Sequence, residues 1–351
     1  MLVSLKRNPP DHPPLIFQGH QLENVLEHKH LGLSLRSDLK WNEHVKQVAT
    51  KACKQVNILK TLQYRLDRDT LETIYTSFIR PILEYGNVVW DGCTQDDAKL
   101  LEDIQMTAAR IVTGAMKTTP IEKLYEETGW ETLSKRRERS KQIMMYKIVH
   151  KLTPSYLYSF LPNIPIFHRN TRAQLDQSRR SDLPSFNCRT VLFENSFFPS
   201  AITLWNLLPS ETRNLPTLSQ FKKKISTPRQ FSVIFPELLN VGKRYLSILH
   251  SRLRMGRSQL NEHLFKIGVK DSAACSCGAT TESIWHYFLT CPNYIVARDA
   301  LHTTIGRLAP FSINTILFGS ASCSLEDNII IFLSVQEFIE KSKRFQGETV
   351  T

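Results

Sequence analysis

From Trp41 onward, apolar residues recur at three- and four-residue spacing: Trp41, Val45, Val48, Ala52, Val56, Leu59 and Leu62, with Lys and Gln between them. That period belongs to one face of an α-helix and not to a strand, so a long amphipathic helix is predicted there. Asp67 or Asp69 can cap a second helix carrying Leu71, Ile74, Phe78 and Ile79, which Pro81 should end or kink. Thr94 to Asp97 offers an N-cap for a third, running through Leu101, Ile104, Ala108 and Val112 to a stop at Gly114. A short helix over Ile121–Thr128 and a longer basic one over Thr132–Leu152 follow, the latter ended by Thr153-Pro154. Five helices on short loops point to a helical bundle.

The fold class expected is mainly α. Residues 1–36 read as a short β-rich edge, because Leu2 to Leu5 and Leu15 to Phe17 are apolar pieces separated by prolines and followed by a Gln18-Gly19-His20 turn. Residues 37–162 form the bundle. Over 163–236, eight prolines from Pro165 to Pro236, with Pro162 just before them, suggest an irregular, semi-extended connector holding two small helical pieces. Residues 237–351 form a small helical domain, with helices predicted over Tyr245–Phe265 and Ile329–Phe345 on either side of a Cys/His segment.

The chain is 351 residues long and carries 45 Lys+Arg against 33 Asp+Glu, a net charge of +12. That excess is concentrated: Glu131–Lys151 holds seven basic residues against two acidic, and Lys243–Lys270 seven against one. Focused positive charge favours a polyanionic partner. Arg136, Arg137, Arg139 and Lys141 on the first stretch, and Arg252, Arg254 and Arg257 on the second, are candidate phosphate contacts. The plainer alternative for each run is a solvated helix face. No run approaches 18 consecutive apolar residues, so no membrane partner is expected. The apolar stub Met1–Leu5 precedes Lys6-Arg7, the reverse of a secretory signal, and seven cysteines are an odd count, four of them isolated. An intracellular location, nuclear or cytoplasmic, is expected.

The sharpest chemical signal is Cys275-Ser276-Cys277-Gly278, then His286, then Cys291. Three thiolates and an imidazole suit one tetrahedral zinc ion, and Gly278 lets the backbone turn so that both first sulfurs face one point. The single-residue gap between Cys275 and Cys277 is shorter than structural zinc sites usually show, and the alternative is a set of ordinary thiols. Arg298 or Asp299 can support the site from outside. Asp96-Asp97 is the only Asp-Asp pair, and it opens a helix, where carboxylates are stabilised without any metal. No nucleotide-binding glycine loop or nucleophile elbow is present. His28-Lys29-His30 is read as a surface strand or loop.

Several ordered strings resemble the C-terminal part of a jockey-like non-LTR (LINE) retrotransposon reverse transcriptase. His30 to Leu35 with Trp41 and His44 is similar to the passage from palm to thumb, and Ile79 to Gly86 with Trp90, Leu101 to Gln105 and Ala108 to Ile111 resemble thumb helices. Ser251 to Arg254 with Gly256, Leu260-Asn261 and His263-Leu264 resembles the basic segment before that family's Cys/His motif. Cys275, Cys277, His286 and Cys291 match the motif itself, and Phe338-Ile339 with Arg344-Phe345 resembles the closing helix.

The resemblance implies a truncated RNA-directed DNA polymerase. Residues 1–8 are similar to the strand after the palm's magnesium-binding aspartates, so no catalytic residue, no magnesium site and no small-molecule substrate are implied, and hence no enzyme. What it implies instead is binding of RNA or DNA with little sequence preference, one structural zinc, and no nuclease after the Cys/His motif. An inert translated transposon relic and a host-recruited helical interaction protein are the alternatives.

Overall fold

The computed structural model describes residues 1, 3, 4, 12–162 and 182–346. It is mainly helical, with two small two-stranded sheets near the N-terminus. The chain folds into two compact units, each assembled from three separate stretches: Met1–Cys53, Arg80–Ile104 and Thr132–Pro228 in the first, and Lys54–Ile79, Gln105–Glu131 and Arg229–Thr351 in the second. Consecutive domains were expected from composition. The units instead interleave, and the division falls inside helix α1 (Asn42–Leu62) and inside α5 (Gln95–Thr113).

In the first unit, β1 (Ile16–Phe17) and β2 (His20–Gln21) form one antiparallel hairpin, and β3 (Glu27–His30) and β4 (Leu33–Arg36) another. His28, Lys29 and His30 lie on the exposed strand β3. The backbone N–H of Ser34 donates to His44 Nδ1 at 3.3 Å, tying β4 to α1, and His44 packs 5.9 Å from the fully buried Trp90. Trp90 belongs to α4 (Asn87–Trp90), which follows α2 (Arg68–Ile74) and α3 (Arg80–Glu84) in the chain. Pro81 stands in the first turn of α3, directly after a widened π turn over Tyr75–Ile79, so its missing N–H interrupts the helical path without ending it.

After α6 (Ile121–Thr128) come α7 (Leu133–Val149) and α8 (Ser155–Ser159). Residues 163–181 of the expected connector lie outside the described residues. The remainder, 182–228, is more ordered than a semi-extended connector: it contains α9 (Val191–Glu194), α10 (Phe197–Asn206), α11 (Ser210–Arg213) and α12 (Leu218–Ile225). Met145 and Tyr146 of α7 share a core with Ala201, Ile202, Trp205 and Phe221, and the Tyr146 and Phe221 rings stack at 4.4 Å. The prolines misled because they sit where a helix needs no N–H. Pro199 is in the first turn of α10 and Pro209 is the N-cap of α11.

In the second unit, α13 (Arg244–Arg254), α14 (Asn261–Lys266), α15 (Ile295–Gly306), α16 (Ile313–Phe318) and α17 (Leu325–Ser342) surround a core that includes Leu249, Leu253, Ile305, Ile316, Phe332, Val335 and Phe338. The helix expected over Tyr245–Phe265 is two helices, because Gly256 adopts φ +67° after α13 and stops it. The closing helix begins one turn earlier than expected, where Ser324 and Asp327 form a capping box.

Gly114 ends α5 at φ +70°, and a Cβ there would lie 2.5 Å from Ile248 Cγ1. Gly114→Ala is therefore expected to cost about 1–3 kcal/mol, through strain and overpacking together. A urea midpoint equal to that of wild type would contradict this.

Candidate metal centre

Residues 273–282 form a tight loop held by three backbone bonds: Cys275 N–H to Ala279 O at 2.9 Å, Gly278 N–H to Cys275 O at 3.0 Å and Glu282 N–H to Ala273 O at 2.7 Å. Gly278 takes φ +95° with open space around it, so the turn needs glycine for its backbone angle and not for room. The other two candidate ligands bracket a π turn over His286–Thr290, closed by Cys291 N–H donating to His286 O at 2.8 Å. Such wide turns recur at functional sites.

The two elements bring Cys275, Cys277, His286 and Cys291 together, with all four donor atoms within 4.8 Å of one another. Cys275 Sγ and Cys291 Sγ are 3.7 Å apart, and Cys277 Sγ and His286 Nε2 3.3 Å. Zinc–sulfur and zinc–nitrogen bond lengths place the edges of a tetrahedral set at about 3.5 to 3.8 Å. The sulfurs are far beyond disulfide distance, and all seven cysteines are free thiols. The cluster can hold one metal ion.

Surrounding groups fix the ligands. His286 Nδ1 lies 3.1 Å from Thr290 Oγ1, which leaves Nε2 to face the sulfurs. Arg298 donates to the Cys291 carbonyl, one of the two supporting roles the sequence suggested. Arg344 pairs with the buried Glu282 at 2.7 Å, and Glu282 accepts the Asn261 N–H at 2.8 Å, bracing the loop from behind. Burial pushes the Cys291 thiol up to about 12, whereas a backbone hydrogen bond from Ala279 is the main influence lowering Cys277. A cation reverses the cost of ionising a buried thiol, so metal binding and thiolate formation would occur together.

The seven basic candidates are placed differently from a phosphate-binding row. Arg137 and Lys141 are buried and share Asp91, at 2.6 and 2.5 Å. Arg136 pairs with Glu84 through both ends of its fork, and Arg139 Nε donates to Ile225 O at 3.3 Å. Arg252 is buried, donating to Gly114 O at 2.8 Å, and Arg254 is buried against Glu127 at 2.6 Å. Arg257 is half-buried, bonding the carbonyl of its neighbour Gly256 at 3.3 Å. Charge alone suggested an outward row. The tertiary fold turns four of these side chains (Arg137, Lys141, Arg252 and Arg254) inward, where carboxylates and carbonyls meet them.

Lysines that a charge-run count passed over are the accessible ones. In the first unit Lys46 and Lys51 of α1, and Lys222, Lys223 and Lys224 of α12, are exposed, with no ion pair recorded for them among the described residues. The signal was present on α1, whose four lysines face a single acid, Glu43, but they are spread along the helix and not contiguous. Asp97 is held in a cap with Thr94, accepting from its Oγ1 at 2.8 Å. No helix is long and apolar enough to cross a membrane among the described residues. No family model matches this chain, and neither the curated proteins nor the solved structures contain a match to it.

Proposed function

We infer that the chain is a nucleic-acid-binding module, a non-catalytic fragment of the thumb and Cys/His region of a jockey-like non-LTR reverse transcriptase, carrying one structural zinc. The four-donor cluster is the observation that carries this reading. Its three sulfurs and one imidazole suit zinc over harder cations, its distances fit a tetrahedron, and each position matches the Cys/His motif that the sequence resembles. The net charge of +12 and the exposed lysines of α1 and α12 support a partner that is RNA or DNA, contacted through phosphates and so with little sequence preference. The implied location is nuclear or cytoplasmic.

Salt titration tests it. If Lys46, Lys51, Lys222, Lys223 and Lys224 reach duplex phosphates, log affinity falls against log salt with a slope of roughly −0.9 per contact. Replacing all five by Gln is expected to flatten that slope by up to about 4 to 5 units. Arg136→Gln is expected to leave it nearly unchanged, because that side chain is engaged with Glu84. Identical slopes for wild type and the five-lysine variant would remove these surfaces from the interface.

One observation favours a second reading, that of a relic. Ile16, Phe17, Leu26 and Leu31 are 63–78% exposed on or beside the N-terminal hairpins. Such apolar exposure suits a surface whose cover has been lost. Its signature is salt-insensitive self-association with no nucleic-acid binding.

A further inference from the structure

On α7, Ser134, Arg137, Glu138 and Lys141 repeat at three- and four-residue spacing and so share one face of the helix. Within the first unit this face walls a cleft of about 650 Å³, whose other walls include Asp91, Lys99 and Ser200. The volume falls in the range of small-molecule sites, about 300 to 1,000 Å³.

The wall carries a charge imbalance. Arg137 and Lys141, 4% and 7% exposed, both lean on the same carboxylate, Asp91, which leaves one buried positive charge without a counter-charge. Burying such a charge is costly unless a partner is found. Arg137 reaches Asp91 through Nε alone, and its Nη1, shielded from water, has no hydrogen-bond partner among the described residues. A guanidinium offers five donors in a planar fork that fits phosphate oxygens. Ser134 stands in the first turn of α7, where backbone N–H groups lack intrahelical acceptors and the helix dipole favours an anion. Of the other lining carboxylates, Glu102 accepts the Leu133 N–H at 3.0 Å, while Glu138 and Glu194 are exposed to solvent, where their repulsion is screened.

We propose that this cleft binds a terminal phosphate monoester, carried by a free nucleotide or by the 5′ end of a strand, with Arg137 and Lys141 as its counter-charges. A phosphate monoester brings about −1.5 to −2 charges and three acceptor oxygens, which a carboxylate does not. The site is independent of the lysine surfaces above.

Calorimetric titration of the full chain with AMP, adenosine and a pair of hexanucleotides, 5′-phosphorylated and 5′-hydroxyl, tests it. One saturable site is expected, with a preference for the phosphorylated member of at least one pair by about tenfold or more. Preference in the AMP pair alone identifies a free nucleotide, and preference in the strand pair alone identifies a strand end. Ser134→Asp keeps the Asp91 ion pairs and suits a helix first turn, yet places a negative charge in the cleft. It is expected to weaken phosphate binding about ten- to a hundredfold. Arg137→Gln is expected to do the same, and if it does not fold, Ser134→Asp decides alone. Indifference to the phosphate in both pairs overturns the site, as does phosphate binding unchanged in Ser134→Asp. Salt-sensitive strand binding that ignores the 5′ phosphate would leave the nucleic-acid reading standing while this one fails.

Discussion

Glu127→Gln is expected to destabilise the second unit by about 3–5 kcal/mol, the loss usual when one member of a buried ion pair is removed. Glu127 is 1% exposed and sits between two buried guanidiniums, Arg68 at 2.8 Å and Arg254 at 2.6 Å, with Ser251 Oγ donating at 3.0 Å. Removing its charge strands both arginines. Burial by itself would raise the Glu127 carboxyl, but Arg254 and then Arg68 outweigh it and hold it at about 2, against an ordinary value of 4.5. A depressed carboxyl contributes stability that is present above its unfolded value and lost as pH falls from about 4.5 towards 2.

The glutamine variant should therefore lack the lower part of the acid-unfolding limb. An upper part should persist, because burial, aided by Arg254, lowers buried His250 from 6.5 to about 3, so its share of stability is lost across that window. The triple change Arg68→Met, Glu127→Leu, Arg254→Met, which removes the whole network, should recover most of the loss. Urea midpoints between pH 3 and 7 decide the matter. A Glu127→Gln protein as stable as wild type, with an unchanged acid limb, would falsify this account of the network.

The second large effect concerns the metal. Structural zinc sites contribute about 10–16 kcal/mol of binding free energy at neutral pH, so the fold over residues 273–292 should depend on the ion. One zinc per chain is expected. The joint change Cys275→Ser, Cys291→Ser should abolish it and expose the amides of that segment to rapid hydrogen exchange. The disturbance should spread within the second unit, because Tyr287 and Phe288, on the same π turn as His286, pack against Phe338, each at 5.2 Å. Exchange in the first unit, for example across α7 and α10, should not change. Stoichiometric zinc retained by the double variant would refute the assignment of ligands.

Which features were legible in the sequence follows from the range of the interactions that make them. The helix over Asn42–Leu62 and that over Ile121–Thr128 agree with their periodicity, because an amphipathic face is written in residues three and four apart. The metal-ligand set was legible for a similar reason, since Cys275 to Cys291 closes through one turn and one short helical segment. Gly256 showed the limit of periodicity: the apolar pattern ran on past it, while a single left-handed residue divided the helix.

What the arginines do was decided only by the tertiary structure. Arg137 meets Asp91 across 46 residues and Arg254 meets Glu127 across 127, and no local pattern signals that a carboxylate will be waiting at such a distance. A run of positive charge looks the same in sequence whether it faces solvent or a buried acid. Composition determined the sign of the charge and periodicity determined the helices. Packing alone determined which charges remain available, because the desolvation of a buried cation is offset only by partners that the folded chain brings to it.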